Sequence, residues 1–151
     1  MFTKTEIELA PKVYEALKKI AEKQGKKWEW EPEIGDWFLL NDYPYVVAGV
    51  LWYTIANKVD NEPQPDDAIS VVYVKSHTIQ TEAHDNVIPL PHWEKLEEIM
   101  EGLGYILQGP FKDKSCFVAR FGVKGWAEGK SRQEAVMRAI IKLGEEIGKN
   151  E

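Results

Sequence analysis

The sequence predicts an α+β fold: a mostly antiparallel sheet, an N-terminal helix and a C-terminal α-β-β-(β)-α unit. Apolar residues recur at helical spacing in three separate stretches. Runs of β-branched and aromatic residues, punctuated by turn chemistry, lie between them. The distances between those runs fit hairpins better than parallel crossovers. A chain of 151 residues suits a single compact domain over 1–151, with sub-units at 1–87 (helix plus β-rich part) and 88–151.

The first helix is expected over Pro11–Gln24. Pro11 suits a first-turn position, where its missing N–H costs nothing. Val13, Leu17, Ile20 and Ala21 make the apolar stripe, and Gly25 is the stop. Thr3-Lys4-Thr5-Glu6 offers a cap for an earlier start. Trp28 to Glu31 alternates like an edge strand or extended arm, and Glu31 to Asp36 is turn chemistry. Trp37–Leu40 reads as a strand and Asn41-Asp42 as a turn. Tyr45–Trp52 is the strongest strand signal, β-branched and aromatic throughout. Residues 57–67, with two prolines, read as a polar loop. Ile69–Val74 is a further strand, and His77–Asn86 is polar and irregular.

Ile88-Pro89-Leu90-Pro91 announces a new unit. Its helix spans His92–Gly102, with Trp93, Leu96, Ile99, Met100 and Leu103 on one face. Short strands are expected at Tyr105–Leu107, Cys116–Phe121 and Val123–Ala127, with a turn over Pro110–Lys114. The last helix starts after Ser131 and runs to Ile147. Its stripe is Ala135, Val136, Ala139, Ile140, Leu143 and Ile147.

Composition narrows the function classes. The net charge is −6. Residues 1–89 carry nine Lys/Arg against fifteen Asp/Glu, and residues 90–151 carry ten of each. An acidic first half repels a phosphate backbone and argues against general nucleic-acid binding. Met1 is followed by Phe-Thr-Lys-Thr-Glu with no apolar run, and no stretch could span a bilayer. An intracellular, cytoplasmic location without membrane contact is therefore expected. Cys116 is the only cysteine. Its apolar neighbours Phe117, Val118 and Ala119 predict a buried, inert thiol. Tyr45–Trp52 is apolar on both faces, so self-association into a homo-oligomer is expected.

GWAEGKSRQEA, residues 125–135, resembles a phosphate-binding loop at first sight. That loop needs four residues between its glycines, and Gly125 and Gly129 enclose three. Ser131 followed by Glu134 is instead the capping box S-x-x-E. The helix start retains partial positive charge, with Lys124, Lys130 and Arg132 near it and Trp126 available to stack on a ring. Lys124, Trp126, Gly129, Lys130, Ser131 and Arg132 are thus the candidate site for a small anionic ligand, beside the plainer reading of a solvated loop. No catalytic residues are expected: Glu97, Glu98 and Glu101 read as a water-facing helix surface, and no nucleophile motif is present. No cofactor motif stands out. His77, Glu82, His84 and Asp85 could ligate a metal in principle, but their spacing matches no rigid ligand frame, and no metal is expected.

Three motifs carry a family resemblance: LEEIMEGLGY, CFVARFGVKGWAEGKS and SRQEAVMRAIIKL, all within Trp93–Leu143. This third of the chain resembles the α/β/α-sandwich domain of proteins from Gram-positive phages and prophages. WEPEIGDW, Trp30–Trp37, is similar to a phage-like pattern, one residue shorter. The resemblance implies an accessory phage protein in a bacterial cytoplasm, and no reaction. A ligand-sequestering, anti-defence role follows, toward a small anion such as a nucleotide signal or toward a host protein. The same segment is similar in order to a double-stranded-RNA-binding domain. Where that domain opens its last helix with a lysine cluster, this chain has Ser131-Arg132-Gln133-Glu134-Ala135.

Overall fold

The computed structural model describes residues 2–53 and 68–149. Among these are three α-helices and nine strands in three antiparallel three-stranded sheets, the α+β class predicted above. The chain divides into two compact units. A helical unit joins Met1–Glu29 to Pro91–Glu151, and a β unit is the continuous stretch Trp30–Leu90.

Helix α1 (Lys4–Lys23) starts well before Pro11, which lies inside it. The Thr3–Glu6 capping box decides the start. Thr3 Oγ1 accepts the Glu6 N–H at 3.1 Å, and Glu6 Oε1 accepts the Thr3 N–H at 3.1 Å. Two orphan donors are satisfied there, and the helix continues through Pro11, which cannot donate to the Ile7 carbonyl. The buried stripe accordingly extends upstream through Leu9 and Ala10.

In the β unit, β1 (Trp37–Leu40) and β2 (Tyr43–Val46) form a hairpin turned by Asn41 and Asp42, at φ 52° and 64°. The single strand expected over Tyr45–Trp52 is two strands. β3 (Gly49–Tyr53) belongs to another sheet and pairs with β4 (Ala68–Lys75). The crossing takes two residues: Val47 N–H donates to the Asp36 carbonyl, and Ala48 N–H to the Val72 carbonyl. A chain that bends from one sheet into the next reads as one apolar run. Val47 itself is fully buried, so the argument for self-association from one two-faced strand loses its basis.

The expected irregular stretch after His77 is instead β5 (Thr78–Ala83), laddered to β4 along its length. Its side chains are largely exposed and polar, so no apolar alternation betrays it. A 3₁₀ turn (His84–Asn86) leads to β6 (Ile88–Pro89), which pairs with β1. Trp28–Glu31 joins no strand. Trp30 is buried: the His84 ring stacks on it at 5.8 Å, and His84 Nε2 donates to its carbonyl at 2.6 Å. The expected proline-containing loop lies outside the described residues.

The helical unit resumes with α2 (Trp93–Gly102). Strand β7 (Leu107–Asp113) begins later than expected and runs through the supposed turn, shifting register between Gln108 and Phe111 around Gly109 and Pro110. β8 (Cys116–Phe121) matches expectation, and β9 (Gly125–Gly129) lies two residues further on. Helix α3 (Arg132–Gly148) covers the face of this sheet that carries Ala119, Phe121, Gly125 and Gly129. It also packs along α1. A methyl at Gly144 would come within 2.9 Å of Ala16 Cβ, so glycine permits the approach. Glu6 meets Ser131 and Ala16 meets Gly144, so the two helices run side by side in the same direction.

Candidate functional site

In the helical unit all three helices begin beside one cleft of about 420 Å³. Phe2, Thr3 and Glu6 reach it from α1, His92 and Trp93 from α2, and Lys130 to Gln133 from α3. Each terminus is tied by side chains.

Ser131 caps α3 as predicted, accepting the Glu134 N–H at 3.0 Å. The reciprocal half differs from the expected box. The Glu134 carboxylate accepts the Lys130 N–H, one residue earlier, and lies 3.5 Å from Arg138. The Ser131 hydroxyl is also a donor, giving its proton to Glu6 Oε2 at 2.6 Å. Glu6 is 3% exposed, and its carboxylate bridges the caps of two helices. The His92 side chain makes no cap bond on α2. Gln133 supplies it instead: its Oε1 accepts the Trp93 N–H at 2.6 Å, and its Nε2 donates to the Pro91 carbonyl at 2.9 Å.

Aromatic faces complete the cleft. Phe2 and His92 stack at 4.8 Å, and the Arg132 guanidinium lies 4.8 Å over the Phe117 ring. The electrostatics are close to balanced. Three helix N-termini contribute about half a positive charge each, and Lys130 and Arg132 add two more. Glu6, Glu94 and Glu134 oppose them. The first-turn amides of Arg132 and Gln133 have no acceptor within α3, so a small positive potential remains at the start of that helix.

The six residues singled out by sequence are split. Lys130, Ser131 and Arg132 line the cleft. Gly129 is buried behind it, where an added methyl would overlap the backbone of Glu134 and Ala135. Trp126 pairs with Arg120 on the sheet face turned away from α3 and is half exposed. Lys124 is exposed in the turn before β9. Sequence reasoning missed Phe2, His92 and Gln133, which reach the cleft only through packing. Glu6 was visible as half of a capping box, but not as the partner of Ser131.

The other constellations disperse. Among the described residues no three His, Cys, Asp or Glu side chains cluster to hold a metal ion. His77 sits in the β4–β5 turn, the length of β5 away from His84, whose Nε2 is committed to Trp30. Cys116 is half-exposed rather than buried, and its Sγ donates to the Asp113 carbonyl at 3.3 Å. Desolvation, then the charges of Glu128 and Asp113, push its thiol above the usual range. A thiol so placed is a poor nucleophile. No helix among the described residues is long and apolar enough to cross a membrane.

No family model, curated protein or solved structure matches this chain.

Proposed function

We propose that this chain is a non-catalytic binding protein whose helix-terminus cleft takes a small, singly charged anion bearing an aromatic or sugar group. A nucleotide-type phosphodiester has that chemistry. The observation that carries the reading is the convergence of three helix N-termini with Lys130 and Arg132 on one cleft. Backbone amides and dipoles at helix starts hold anions without any chemistry. The exposed His92 ring, backed by Phe2, and the Arg132 guanidinium, held over Phe117, supply flat faces for the rest of the ligand. Under this reading the protein sequesters its ligand as a phage or prophage accessory protein in a bacterial cytoplasm, with an anti-defence role.

A duplex-RNA module is the weaker alternative. A duplex presents many phosphates, and residues 90–151, with ten Lys/Arg against ten Asp/Glu, offer no net positive charge to meet them. Calorimetric titration and thermal shift with a cyclic mononucleotide, inorganic phosphate and ATP with magnesium test the proposal. The cyclic mononucleotide should stabilise the wild type by about 2.7 kcal/mol at a hundredfold excess over its Kd. Lys130→Ala/Arg132→Ala should lose that gain. No stabilisation by any anion, or tighter binding of ATP than of the monoanion, refutes it.

A further inference from the structure

The β unit holds a second concavity, separate from the cleft. A groove of about 750 Å³ lies along β2 and the end of β4. Its size is that of a ligand site. β2 contributes Tyr43, Pro44, Tyr45 and Val46, and the end of β4 with its turn contributes Val74, Lys75 and Ser76. The rings pack on one another. Tyr45 packs 5.1 Å from Tyr43 and 4.8 Å from Tyr73, and Phe38 lies 5.9 Å from Tyr45 and 5.5 Å from Tyr73. A ring already packed against its neighbours, as Tyr45 is, has less freedom to lose when a ligand lands on it.

The polar groups of the lining narrow the ligand class. Asn41, Tyr43, Tyr45, Lys75 and Ser76 line the groove, and none of these side chains has a hydrogen-bond partner in the protein among the described residues. All five can donate, Lys75 can only donate, and no carboxylate lines the groove. A glycan presents many hydroxyl donors, which carboxylates meet best, and no carboxylate lines this groove. A proline-rich segment is the complement. Its polyproline II backbone exposes unpaired carbonyls, proline offers no N–H, and its rings pack on aromatic faces. An added β-strand fits less well, because β2 is a four-residue edge strand interrupted by Pro44.

We infer that this groove binds a proline-rich peptide in the polyproline II conformation, with basic flanks. The flanks follow from charge. The described residues of the β unit carry six Asp/Glu against one Lys, a net −5. Asp42 stands in the turn between the lining residues Asn41 and Tyr43. Such a field speeds the approach of a cationic ligand and makes its binding sensitive to salt.

The probe is a fluorescently labelled proline-rich dodecapeptide with arginine at both ends, titrated with the full chain at low salt. Saturable binding is expected, weakening as salt rises. It should weaken about tenfold when alternate prolines are replaced by glycine, and about tenfold in Tyr43→Ala. Tyr43 is 62% exposed, so its removal leaves the core intact, and circular dichroism checks this. Four binding outcomes overturn the inference. These are no saturation below millimolar, equal affinity for the glycine version, full affinity in Tyr43→Ala, or capture of a gluco-oligosaccharide in place of the peptide. A concentration-dependent dimer abolished by Tyr43→Ala would also overturn it, by assigning the groove to a second copy of the chain.

Discussion

Glu6 and Ser131, separated by 125 positions, share one hydrogen bond of 2.6 Å between a buried carboxylate and a hydroxyl. That contact fastens the start of the last helix to the start of the first. Because Glu6 also accepts the Thr3 N–H, two local capping arrangements become one tertiary element. Removing either partner leaves the other with an unsatisfied group in a largely buried place. Glu6→Ala should cost about 2 kcal/mol or more, and Ser131→Ala about 1–2 kcal/mol. Denaturant unfolding of both single variants and the double variant should give a coupling of about 1 kcal/mol. Strict additivity would show that the contact contributes nothing.

Gly129 has a packing role. Its Cα lies so close to the first turn of α3 that any side chain meets the backbone of Glu134 and Ala135. Gly129→Ala should therefore destabilise by about 1–3 kcal/mol, the range for overpacking. Gly102, at the end of α2, has open space around it, and Gly102→Ala should cost nothing measurable. Urea midpoints of the two variants make the comparison directly.

The β4–β5 hairpin turns on Ser76 and His77 at φ 51° and 64°, where asparagine and glycine are preferred. A left-handed conformation costs a side-chain-bearing residue about 1–2 kcal/mol. His77→Gly should raise stability by about 1 kcal/mol, less the extra entropy of glycine in the unfolded chain. A lower unfolding midpoint would mean that the His77 side chain makes a contribution larger than its strain.

Cys116 should alkylate slowly at neutral pH. Its thiol is held above the usual range by desolvation, and next by the negative charges of Glu128 and Asp113. Negative charge disfavours the thiolate, which is the reactive form. The rate with iodoacetamide should rise with pH along a curve displaced upward from that of free cysteine. Glu128→Gln removes one charge and should move the curve back down. An unchanged curve in that variant would rule out Glu128 as a cause.

Which parts of this were legible beforehand follows from range. The α3 cap was readable because Ser131 and Glu134 lie three residues apart, and β1 and β8 because their apolar runs end at clear turn signals. The start of α1 was misplaced because proline was weighed above a capping box that stood plainly in Thr3–Glu6. Strand β5 was unreadable because a polar edge strand owes its existence to its neighbour's ladder, and that ladder leaves no periodic mark. The run through Val47 hid a change of sheet, since a bend between two buried strands is as apolar as one strand.

By itself, the sequence determined the α+β class, the three helices and the local chemistry of the Ser131 cap, because these rest on contacts between residues a few positions apart. Only the tertiary structure decided that Lys130 and Arg132 share a cleft with Phe2, His92 and Gln133 while Trp126 faces elsewhere. It also decided that Glu6 closes the cap of a helix 125 residues away. Side-chain periodicity says which face is buried, and it carries no information about which distant element does the burying.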